Sequence, residues 1–99
     1  MLVFPTMRFT DAVAQQVVID FNAVWCGPCK MISPFYKTLA TTYSQIIFLE
    51  CDVDEVAALA SREGVSAMPT FFVYQGGKKV DELVGANKAK LEEIVKKYT

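Results

Sequence analysis

The sequence has no histidine and only three cysteines in 99 residues. A structural zinc site needs about four nitrogen or sulfur ligands, and the chain, which also lacks a second C-x-x-C, is short of them; no metal is expected. The odd cysteine count is unlike the paired framework of a small secreted disulfide scaffold. Charge of one sign is equally scarce. Ten basic residues stand against eleven acidic ones, a net charge of −1, and no basic stripe offers a nucleic-acid surface. The apolar runs are too short to span a membrane. The opening MLVFPTMRF lacks the charged start, apolar core and small-residue cleavage site of a secretory signal. It also lacks the amphipathic, arginine-rich pattern of a transit peptide. These absences lead to the expectation of a soluble, cytoplasmic protein that engages neither nucleic acid nor membrane.

What is abundant is apolar side chain, 53% of the residues. A chain of this length buries roughly 65% of its unfolded surface on folding, enough for a core that needs no staple. No repeat, low-complexity tract or linker divides it, so residues 1–99 read as one domain. Leu2-Val3-Phe4 is a short strand closed by Pro5. Thr6 caps a brief helix with Phe9, Ala12 and Val13 on its apolar face. Val17–Ala23 is a buried, β-branched strand with one discordant residue, Asp20. A helix follows from Gly27 to about Tyr43, with Met31, Ile32, Phe35, Leu39, Ala40 and Tyr43 on its apolar face, and Pro34 should kink it. Ile46–Asp52 is a second buried strand. Asp54 is placed to cap a helix carrying Val56, Leu59 and Ala60, which Gly64 ends. Thr70–Tyr74 and Lys79–Val84 form a hairpin through Gly76-Gly77. Asn87 caps a last helix with Leu91, Ile94, Val95 and Tyr98 at helical spacing.

The order β-α-β-α-β-α-β-β-α implies an α/β fold, with parallel pairing of the early strands and a mixed sheet covered by helices on both faces. Ligands meet such sheets at the carboxyl ends of their strands. The stretch VWCGPCK falls at that place, directly after a buried strand and at the start of the long helix.

Residues three apart on a helix share a face, so the sulfurs of Cys26 and Cys29 can meet and bond. Free N–H groups and the helix dipole favour negative charge at the first position, and thiolate is the attacking species in disulfide exchange. Gly27 and Pro28 suit a first turn, where proline's missing donor costs little. A purely structural disulfide across so small a loop would constrain little of the unfolded chain. Redox exchange is the better reading, with Cys26 as the exposed attacker and Cys29, one turn deeper, as the resolving thiol.

VIDFNAVWCGPCK resembles the active-site motif of the thioredoxins, and the resemblance runs along nearly the whole chain. Pro34 stands where that family kinks its long helix, Ala67-Met68-Pro69-Thr70 matches its cis-proline loop, and Val84-Gly85-Ala86-Asn87 matches its glycine turn. FLECDVDE and GANKAKLE are closer to the eukaryotic, animal-like branch than to the bacterial one. The resemblance implies a thioredoxin fold and a general protein-disulfide reductase. It implies Asp20 as a buried carboxyl exchanging a proton with Cys29. It also implies a substrate groove of Trp25, Gly27, Pro28, Ala67, Met68, Pro69, Gly85 and Ala86. Such a protein is monomeric and holds no tight cofactor. It passes electrons from NADPH, through thioredoxin reductase, to disulfide-containing targets. The chain departs from the family in a shorter amino-terminal segment, in Glu50, where bacterial relatives often have lysine beside the aspartate, and in Cys51, read as an inert core thiol.

Overall fold

A computed structural model describes residues 2–4 and 16–99. The strands are β1 (Leu2–Phe4), β2 (Val17–Asn22), β3 (Ile47–Asp52), β4 (Thr70–Gln75) and β5 (Lys78–Val84). The helices are α1 (Gly27–Thr42), α2 (Ala57–Arg62) and α3 (Lys88–Lys97). The expected helix bearing Phe9, Ala12 and Val13 lies outside the described residues. The strands form one mixed sheet in the order β1-β3-β2-β4-β5, with β2 and β3 parallel and the other pairs antiparallel. The parallel pairing expected of all the early strands therefore holds for β2 and β3 alone. β1 lies beyond β3 at the sheet edge, so its direction is set by pairing with β3 and not by a crossover to β2.

Alternation along the strands sorts the core into two layers. Val18 and Phe48 face α1 and α3, packing with Ile32, Tyr36, Leu39, Leu91 and Val95. Phe21 and Cys51 face the other way and pack with Ala60 of α2 and with Phe72. Asp20 and Glu50 are register partners across β2 and β3, and by the same alternation both lie on the α1 face.

Helix α1 continues through Pro34. Its buried stripe is Cys29, Ile32, Tyr36, Leu39 and Ala40. Met31, expected on that stripe, is 75% exposed, because its position is rotated about 100° from Ile32 toward solvent. Tyr36 takes the central place instead, fully buried, with its hydroxyl proton shared between Leu49 O at 2.7 Å and Val18 O at 3.0 Å. Two glycines with positive φ, Gly76 at 61° and Gly77 at 80°, make the tight turn between β4 and β5, as a two-residue hairpin requires.

Replacing Tyr36 with Phe keeps the ring and strips two buried carbonyls of their donor. A loss of about 1–3 kcal/mol in unfolding free energy is expected, measured by urea denaturation. An unchanged midpoint would show that the hydroxyl does not hold α1 to the sheet.

Candidate active site

The carboxyl ends of the parallel pair β2 and β3 lie side by side, since Asn22 and Asp52 are register partners. Chain leaving β2 must turn there to enter α1, and residues Ala23–Cys26 make that turn through a Cys26 N–H bond to Ala23 O. Cys26 becomes the N-cap of α1, with Pro28 in the first turn. Its Sγ accepts a hydrogen bond from Cys29 N at 3.2 Å. The same N–H can stabilise negative charge on that sulfur when the bond opens.

Cys26 and Cys29 are joined as a disulfide, with Cα atoms 5.3 Å apart. Ala23 packs against the pair, as do the partly buried Val53 and Met68. In this oxidised form Cys26 and Cys29 are 5% and 4% exposed. The expectation of an exposed Cys26 is therefore not met here, because Met68 and Val53 cover the sulfurs. The two cysteines differ in what surrounds them. Cys26 is flanked by exposed Trp25, Gly27 and Pro28, whereas Cys29 lines a pocket of about 280 Å³ with Asn22, Ala23, Val24, Lys30, Ser33 and Glu50.

The remaining residues expected to line a groove divide by exposure. The Met68–Pro69 peptide bond is cis, in agreement with the family resemblance. Pro69 is buried, Met68 and Gly85 are half-buried, and Ala67 and Ala86 are exposed. A Gly85 N–H to Pro69 O bond of 2.9 Å ties the glycine turn to the proline loop. Gly85 has φ +104° there, a region that side chains disfavour.

Asp20 is 1% exposed. Burial pushes its carboxyl up to about 7, partly offset by a hydrogen bond from Asn22 Nδ2 at 3.3 Å, while the Glu50 charge raises it further. Asp20 Oδ1 and Glu50 Oε1 are buried and have no hydrogen-bond partner among the described residues.

Asp54 corrects one expectation and adds a residue that sequence reasoning missed. The N-cap of α2 is Val56, without a side-chain bond. Asp54 instead accepts a bond from Trp25 Nε1 at 2.9 Å, while its own N–H is held by Asp52 Oδ1 at 2.8 Å. The signal was available in the parallel pairing, which puts residues just past β3 beside those just past β2. Cys51 is fully buried on the opposite face from α1. Desolvation pushes its thiol up to about 11.

Two sulfurs three residues apart, joined by a bond that two electrons open, make the chain a thiol–disulfide oxidoreductase. Comparison with known proteins narrows that class. The Thioredoxin family model matches residues 1–97. The chain is 54% identical over 83 residues to "Thioredoxin H-type" of Chlamydomonas reinhardtii, an alignment covering 83% of this chain and 74% of that protein. It is 52% identical over 94 residues to mouse thioredoxin, covering 91% and 90%. A solved Plasmodium falciparum thioredoxin superposes with a TM-score of 0.86 at 44% identity, covering 92% of this chain and 91% of that one. The chain belongs to the thioredoxin family. Its activity is protein-disulfide oxidoreduction by dithiol–disulfide exchange through the Cys26–Cys29 pair.

The folded state binds the Asp20 proton more tightly than an unfolded chain, whose aspartate titrates near 3.8. Stability is therefore lost as pH rises from about 4 to 7, reaching roughly 4 kcal/mol above that window. Asp20→Asn should remove this slope and unfold at higher urea than wild type at pH 8, with a smaller difference at pH 4. Parallel curves for the two proteins would show that Asp20 is not held protonated. The lone tryptophan reports on Asp54. Asp54→Ala should lower Trp25 fluorescence anisotropy while shifting stability by no more than about 0.5 kcal/mol. Unchanged anisotropy would show that the bond does not restrain the indole.

Proposed function

We propose that the protein is a general disulfide reductase in which Cys26 attacks, Cys29 resolves and Asp20 takes the proton from Cys29. The hydrogen bond from Cys29 N to Cys26 Sγ at the N-cap of α1 carries this reading. It supplies the donor that a thiolate at Cys26 needs. The Cys26 thiolate forms a bond to one sulfur of a target disulfide. The target bond breaks, and its electron pair leaves on the other sulfur, which takes a proton from water. Cys29 then gives its proton to the Asp20 carboxylate and attacks Cys26. The mixed disulfide breaks, the target sulfur leaves as thiolate and is protonated by water, and the Cys26–Cys29 bond is restored.

A carboxyl pushed up to about 7 is a stronger base than an ordinary aspartate and still ionises near neutral pH. Exposed Trp25, Gly27 and Pro28 would form one wall of a substrate groove and Ala67, Met68 and Ala86 the other, with the Gly85 N–H to Pro69 O bond supporting the second wall. An extended target peptide would lie between them, strand-like, along the backbone of Met68. The two cysteines carry the electrons, so the chemistry requires no bound cofactor. Two electrons from NADPH, passed through a thioredoxin reductase, would reset the pair. Cytoplasmic conditions, where thiols are kept reduced, suit this direction of flow. The chain would work as a monomer of one domain.

The assignment is tested by trapping. Cys29→Ser should accumulate mixed disulfides with target proteins, visible on non-reducing gels, whereas Cys26→Ser should accumulate none. Equal trapping by both variants would sink the attacker and resolver roles. The direction of flow is tested by equilibrating the pair with a defined thiol buffer. A potential of about −270 mV is expected, a figure that belongs to thioredoxins generally and is not read from this geometry. A value of roughly −180 to −120 mV would make the protein a disulfide donor instead.

A further inference from the structure

We propose that Glu50 is a positioning residue acting through Asp20, raising the basicity of Asp20 and passing its proton to solvent by way of the pocket that also opens on Cys29. This rests on the role given above to Asp20.

Three observations carry it. Asp20 and Glu50 are register partners on adjacent parallel strands, so their side chains leave the sheet on the same face. Each has a buried carboxyl oxygen without a partner among the described residues. Asp20 does not line the pocket, but Glu50, Cys29 and Asn22 do, and Asn22 is the residue bonded to Asp20. The pocket, about 280 Å³, can hold several waters at roughly 30 Å³ each. Glu50 is thus the carboxyl of the two that lines the pocket, beside the buried aspartate in the strand register.

Charge divides the labour. Facing the pair among the described residues are Lys30, Lys37 and the Tyr36 phenol of α1, Asn22 of β2, and across from Asp20 the apolar Phe71 of β4. Desolvation raises Glu50, and the Lys37 cation opposes it. Asp20, deeper and with no cation beside it among the described residues, is pushed up by burial and feels the Glu50 charge. Repulsion between two neighbouring carboxylates favours keeping one proton on the pair, and the deeper burial of Asp20 favours holding it there. During resolution the proton leaving Cys29 goes to Asp20 and then to solvent across Glu50, while the departing target thiolate draws a proton from water. No oxidant or further reactant is needed.

The test compares wild type with Glu50→Gln, which keeps the shape and removes the charge, and with Asp20→Asn. The Asp20 carboxyl is titrated by carbon NMR in the oxidised protein, and single-turnover resolution of a mixed disulfide is followed from pH 5 to 9. Glu50→Gln should lower the Asp20 midpoint by roughly half a unit. The acid limb of the resolution profile should move down with it, and the plateau above pH 8 should fall about twofold, as a weaker base implies. A slower plateau with an unmoved limb and midpoint would mark Glu50 as structural only and overturn the proposal. A wild-type profile in Asp20→Asn would instead remove Asp20 from the mechanism, and this inference with it.

Discussion

The active-site geometry depends on how α1 is held against the parallel pair β2 and β3. Tyr36 sits at the centre of this contact, with its ring packed against Phe48 and Phe71 at centroid distances of 5.4 and 5.6 Å and its hydroxyl between carbonyls of both strands. A helix fixed in this way cannot slide along the sheet without breaking a buried hydrogen bond. Two turns toward its N-terminus, Cys29 is therefore held in the pocket it lines with Glu50. The placement of the cysteine pair over the sheet thus comes from packing in the middle of the helix, well away from the sulfurs.

Against that rigid frame, Asp20 is a deliberate weakness. A buried carboxyl that costs roughly 4 kcal/mol once ionised takes a large part of the 5–15 kcal/mol that typically separates folded from unfolded chains. An apolar residue would pack better on β2 and leave no unpartnered oxygen. What the burial supplies is a carboxyl raised to about 7, as the proposed proton transfer requires, and a hydrogen bond from Asn22 limits how far the shift goes. Local instability and proton affinity are here the same quantity seen from two sides.

Much of this could be read in the sequence because it rests on short-range signals. The buried strands, the two-glycine hairpin turn, the Asn87 cap, whose side chain accepts from Lys90 N at 3.0 Å, and the cysteine pair at a helix start each lie within a few residues. Asp20 stood out as a polar residue inside an apolar run. What escaped depends on partners distant in sequence. The direction of β1 is set by β3, more than forty residues later in the chain. Asp54 looked like a helix cap because capping residues and indole acceptors are of the same type, and only the strand pairing distinguishes them. Tyr36 lies in the middle of the buried helical stripe and Met31 off it toward solvent, and the apolar pattern alone chose the wrong member. The pocket joining Cys29 to Glu50 belongs to no single segment.

The sheet itself has a further consequence, through Cys51. An unfolded chain with three thiols has three ways to form one disulfide. In the native fold, alternation along β3 sends the third sulfur into the layer beneath α2, on the far side from α1. The fold thus acts as a chaperone of its own redox chemistry: while the sheet is intact, the pairing is decided by a wall of backbone, and mispaired isomers are confined to molecules that have lost it.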